Sequence, residues 1–121
     1  MTNTAIALYQ FFSGFGLEAF VENNVPEEAQ LPYITYQLVE PDWDDSASMY
    51  ARVWYRSTSF QSINAKVDAI RAAIGESVSI PTSGGAVYLS KGSPFAQYMP
   101  MEGDDTLKVA YLNLTIHALT M

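Results

Sequence analysis

The sequence predicts an α+β fold, a mostly antiparallel sheet of about four strands with two helices packed on it. Three observations carry that expectation. Residues 106–119, "TLKVAYLNLTIHAL", alternate along their length with the two-residue period of a strand that buries one face. Residues 59–74 set Phe60, Ile63, Val67, Ile70 and Ile74 in a single apolar stripe at helical spacing, so one face of a helix is buried on a sheet. The runs 33–39 and 49–57 are rich in aromatic and β-branched residues and are joined by a turn-rich acidic segment, which suggests an antiparallel pair.

Taken in order, residues 4–13 read as a short first helix. Ala5, Leu8, Tyr9 and Phe12 fall on one face, Asn3 or Thr4 is placed to cap the start, and Gly14 and Gly16 stop it. "LEAFVENNVPEEAQLP" follows as a loop or short extended piece. "YITYQLV" is bounded by Pro32 and Pro41 and reads as a strand. In "MYARVWYRS", Met49, Ala51, Val53 and Tyr55 face one way, and Tyr50, Arg52, Trp54 and Arg56 the other. Thr58 and Gln61 fit a capping box ahead of the second helix, and Gly75 ends it. "AVYLSK", 86–91, is a third strand. "GSPFAQYMPMEGDD" then interrupts, longer than an ordinary hairpin connection. In the last strand Ala110, Leu112, Leu114, Ile116 and Ala118 form the core parity.

The chain has 121 residues, enough for one domain, with about half of them apolar and no cysteine, so packing alone must hold the fold. No apolar run is long enough to span a bilayer, and the start lacks the basic region of a signal peptide, which predicts a soluble product without standard export. The net charge of −7 argues against nucleic acid as a ligand. Residues 1–51 carry eight acids and no base, whereas residues 52–121 carry five acids and six bases.

Chemistry finds little support. His117 is the one histidine and stands on the non-core parity, beside Asn113 and Thr115. Asp104 and Asp105 precede it by about 12 residues, roughly 40 Å of extended chain, so only an acid from another strand can reach it. It therefore reads as a sheet-surface residue. "DWDD" and "EGDD" lack the ligand spacing of a calcium loop and read as acidic surface. "SGG" at 83–85 is not a phosphate-binding loop, and no nucleophile elbow is present. No catalytic residue, metal or cofactor is expected. The informative residues are apolar groups placed in loops. Trp43, with Asp44 and Asp45, lies in one, and Phe95, Tyr98, Met99 and Met101 lie in another. Aromatic and methionine side chains are enriched at interface centres, so these seven are the candidate protein-contact residues.

Three stretches, "ALYQFFSGFGLEAFVENNVPEEAQLPYITYQLVEP", "WYRSTSFQSINAKVDAIRAAIG" and "GDDTLKVAYLNLTIHALT", resemble the tail-terminator (tail-completion, neck) proteins of long-tailed bacteriophages and prophages. The resemblance covers nearly the whole chain and rests on layout and apolar content. It implies a two-helix α+β subunit that assembles with itself as a ring, typically hexameric, at the head-proximal end of the tail tube. The partners implied are the tail-tube protein and the head connector, with no nucleic acid and no membrane. The location implied is the virion, with the host cytoplasm as the place of assembly. Head-completion proteins of the same neck share such layouts, and two further classes stay open: a small-ligand-binding α+β domain and a metal-dependent hydrolase.

Overall fold

Two helices and six strands make up the fold, described for residues 2–120 in a computed structural model. In chain order they are α1 (Asn3–Phe12), β1 (Glu18–Val21), β2 (Tyr33–Tyr36), β3 (Asp45–Arg56), α2 (Gln61–Ile74), β4 (Val78–Thr82), β5 (Gly85–Met101) and β6 (Asp104–Leu119). The strands form one sheet in the order β1-β2-β3-β6-β5-β4. Only β1 and β2 are parallel, and every other pairing is antiparallel.

The sheet thus has six strands where the sequence predicts about four. The two additional strands are short. β1 has four residues within the stretch read as a loop, and its partner β2 is remote in the sequence, so no local pattern announces it. β4 carries Pro81, a residue that argues against a strand but is tolerated on an edge.

Long strands also exceed their expected lengths. β5 runs 17 residues and absorbs most of "GSPFAQYMPM". Its register breaks between Lys91 and Ala96, so residues 92–95 bulge opposite Asn113, and the ladder then resumes. Past Leu89 no strand pairs with the outer side of β5 among the described residues, which lets Pro94 and Pro100 sit there without breaking a second ladder. β3 starts at Asp45 because β6 extends far enough to pair with it at Ala118.

Both helices cover one face. Ala7, Leu8 and Phe12 of α1 and Ile63, Val67, Ile70 and Ile74 of α2 join Ile34, Tyr36, Met49, Ala51, Val53, Leu89 and, from the predicted parity of β6, Ala110, Leu112, Leu114 and Ile116 in one cluster; Ala118 is buried beyond it. Phe12 stacks on Tyr36 at 4.9 Å. Tyr9 is not part of it; it is 51% exposed, at the edge of the arc that Thr4, Ala5, Ala7, Leu8 and Phe12 bury. Both predicted caps differ as well. Thr2, not Asn3 or Thr4, caps α1, its hydroxyl accepting from the Ala5 amide at 3.1 Å. Thr58 makes no cap on α2; Ser59 Oγ accepts from the Gln61 amide at 3.4 Å instead. Gly75 ends α2 as expected, with φ of 57°.

The opposite face of the sheet carries neither helix. Tyr50, Arg52 and Trp54 of β3 and Tyr111 of β6 lie on it. The Arg52 guanidinium lies 5.0–5.4 Å from all three ring centroids and pairs with Glu22. Burial alone would lower the Arg52 pKa, but the hydrogen bond and charge of Glu22 outweigh it and raise it.

Candidate interaction surface

The first candidate segment is built by the start of β3. The chain reverses at Trp43 and Asp44, and Asp44 adopts the left-handed region with φ of 60°. One backbone contact holds that turn against the end of β6, the Asp44 amide donating to the Ala118 carbonyl at 2.7 Å; within the turn the Asp45 amide donates to the Asp42 carbonyl at 3.0 Å. The Asp45 carboxylate turns back to accept from the Ser46 amide at 2.9 Å. With its backbone fixed and its indole outside the core cluster, Trp43 is the most exposed large apolar residue described, at 57%.

His117 completes the arrangement. Its Nδ1 is 2.6 Å from Ser46 Oγ, and its Nε2 is 3.1 Å from Asp44 Oδ1. An acid from beyond its own strand does reach it, as the sequence allowed. The order serine–histidine–aspartate invites comparison with a nucleophile triad, but neither cleft of about 230–300 Å³ is lined by any of the three. Their visible effect is to tie the acidic turn to the sheet.

The second candidate segment is strand rather than loop. Phe95 lies in the bulge, half-buried against the core, with the Arg71 guanidinium 5.2 Å from its ring centre. Tyr98 meets Phe60 edge-on at 6.0 Å while remaining exposed. Met99 and Met101 are exposed on the same arm. A two-residue turn at Glu102 and Gly103 closes it, Gly103 supplying a φ of 84°. Below the turn, Asp104 accepts from Arg56 at 2.9 Å and from the Thr106 hydroxyl at 2.7 Å and amide at 3.0 Å. The Thr106 hydroxyl, then Arg56 and the Thr106 amide, hold its carboxyl down to about 2.

The structure brings Trp43, Asp44 and Asp45 together in one patch and Phe95, Tyr98, Met99 and Met101 along another arm. It does not bring the patches to each other. Asp45 pairs with Ala118 at one end of the β3–β6 ladder and Arg56 with Leu107 at the other, twelve register pairs that span about 36 Å. The sequence reading missed the Arg52 cluster as a unit and missed the exposed Ile6, Tyr9 and Leu38. The alternation Tyr50, Arg52, Trp54 was the available signal for the first; nothing local marked the others. Among the described residues no three His, Cys, Asp or Glu side chains are grouped as metal ligands, and no helix is long and apolar enough to cross a membrane.

No family model matches the chain. No curated protein matches it either. A chain in the solved structure described as the virion of native gene transfer agent (GTA) particle does share the fold. The two superpose with a TM-score of 0.68 at 16% sequence identity, over 96% of this chain and 93% of that one. At that identity the likeness is one of fold.

Proposed function

We propose that this chain is a structural subunit of a phage-like particle, and within that class a tail terminator. Copies of it form a ring, typically of six, that caps the tail tube and meets the head connector in the neck of the virion. One observation carries the reading: nearly the full length of the chain shares its fold with nearly the full length of a chain from a virion. The resemblance of its three quoted stretches to tail-terminator proteins supports the finer role. So does the placement of its exposed apolar side chains at two opposite ends, since a junction piece needs a contact at each end. In this reading the protein catalyses nothing and binds neither nucleic acid nor membrane.

Solution mass and electron microscopy of particles made without the chain test the proposal together. A ring in solution or on the tail, with overlong or headless tails in its absence, is the expected result. Normal-length tails that fail only to join heads would move the role to head completion. Intact, infectious particles without the chain would end the structural reading.

A further inference from the structure

The sheet leaves two backbone edges without a partner strand. Among the described residues no strand pairs with the outer side of β1, or with the outer side of β5 over Ala96–Met99. We propose that the β5 edge of one copy of this chain pairs with the β1 edge of the next, antiparallel, so that the sheet runs on from subunit to subunit. This rests on the reading of the chain as a ring subunit and adds which surfaces make the ring.

The two edges match in height, direction and face. Across the sheet Met99 is level with Val109, Trp54, Tyr33 and Glu18, and at the other end of the stretch Ala96 is level with Val21. Both free stretches are therefore four residues long and lie on the same rows. β1 and β2 share a direction, and the three antiparallel steps through β3 and β6 to β5 reverse it. A neighbour's β1 set beside β5 thus continues the antiparallel ladder. Ala19 joins the core cluster, and Tyr98, level with it, meets Phe60 at the start of α2. The helix-covered face of one copy would then continue as the helix-covered face of the next. Rotation about one axis keeps every copy at the same height, as a closing head-to-tail contact requires.

The composition of the edges points the same way. A strand edge left in solvent is ordinarily blunted by charge or proline. Ala96–Met99 carries neither, and Tyr98 and Met99 stand exposed on it; β1 carries one charge, Glu18, at its first residue. Pro94 and Pro100 bound the β5 stretch. β1 is bounded at Val21, whose carbonyl accepts from the Asn24 amide at 3.0 Å as the chain turns away. Pairing is so confined to a short register. Charge favours the same orientation. Just above the β5 stretch, Lys91 is exposed and in no ion pair among the described residues. β1 leads up into a loop whose Glu27 and Glu28 are exposed and likewise in no ion pair, so a neighbour's loop brings the opposite sign to that lysine. Tyr98 and Met99 then belong to the contact between copies, which leaves Trp43 and Met101 for the two ends of the ring.

The test introduces cysteines into a chain that has none. Within one chain Glu18 and Met99 stand four strand spacings apart, about 19 Å, too far for a bridge, whereas across the proposed seam they face each other. Glu18→Cys is mixed with Met99→Cys or, to cover a shift of two residues, with Gln97→Cys. Each mixture is oxidised with copper phenanthroline, both as free protein and in particles assembled from the two variants. All three positions are exposed, so each variant should melt like the wild type. The expected result is a disulfide-linked dimer from a mixture and none from any variant alone. Glu18→Cys with Met99→Cys in one chain should give a ladder of covalent oligomers that stops at the ring number. Linking by Met99→Cys or Gln97→Cys alone would replace the seam with a two-fold contact between β5 strands and overturn the proposal. No link from either mixture, in solution or in particles, would also overturn it. Rings without the link leave the ring reading standing on another surface. Links in a protein that particles never contain keep the seam and end the particle reading.

Discussion

Nε2 of His117 lies 3.1 Å from Oδ1 of Asp44, a residue 73 positions earlier in the chain. The contact clamps the Trp43 turn to the last strand, with Ser46 on the other ring nitrogen. Both partners are substantially exposed, so the clamp shapes a loop more than it stabilises a fold. His117→Ala should cost about 1 kcal/mol or less in thermal melting. It should also speed amide exchange at Asp44. Unchanged exchange there would mean that the backbone contact to Ala118 fixes the turn unaided.

Leu114 is buried in the middle of the sheet, on the face both helices cover. Leu114→Ala should cost about 2–5 kcal/mol, because the helices cannot close fully on the space left. Leu114→Asp should yield no folded protein, since nothing there can pair a charge. Denaturant melts check the first, and circular dichroism of the recovered protein the second.

Gly85 starts β5 where the backbone of β6 passes closest. A Cβ there would stand 1.9 Å from the Leu119 carbonyl oxygen, against backbone that cannot swing aside. Gly85→Ala should therefore destabilise by about 1–3 kcal/mol, the scale of an overpacked site. Gly84→Ala, strained by its φ of 82° but with nothing within 4 Å, is the control for backbone strain without the clash. If Gly85→Ala melts like the wild type, the β4–β5 hairpin adjusts more freely than its register implies.

Trp43 and Phe95 should part company on truncation. Trp43→Ala removes an exposed indole and should leave melting within about 0.5 kcal/mol of wild type, while ring formation or docking fails. Phe95→Ala removes a ring packed on the core beneath Arg71, so it should lower melting whatever it does to assembly. Solution mass and melting on the same two samples separate the effects. Full assembly by Trp43→Ala would exclude that turn as a contact.

Asp104 sets a pH response at the hairpin tip. Its carboxyl is held at about 2 against an ordinary 3.8, chiefly by Thr106 and Arg56. A lowered carboxyl stabilises the fold above the unfolded value, and that contribution is lost as pH falls from about 4 to about 2. Asp104→Asn should thus melt below wild type near neutrality, and the gap should close across that window. A gap independent of pH would assign the effect to lost hydrogen bonds rather than to charge.

The sequence by itself determined the elements that repeat long enough to show a period. The stripe Ile63, Val67, Ile70 and Ile74 and the alternation Leu112, Leu114, Ile116 are each buried as the pattern requires, because one face of a regular element must leave water. It also determined which apolar side chains were open questions, Trp43 and Met99 among them. Only the tertiary structure decided where each went. Phe95 and Met99 come from the same proline-rich segment, yet Phe95 turns under α2 and Met99 stays in solvent, a split made by a bulge opposite Asn113. β1 exists because β2 lies beside it, and His117 reaches Asp44 because β3 and β6 pair to their ends. The cleft of Thr2, Glu40, Trp43 and Thr120 joins three places in the chain that no local pattern relates. Pairing and clefts depend on contacts between remote segments, and a period measures only what neighbouring residues share.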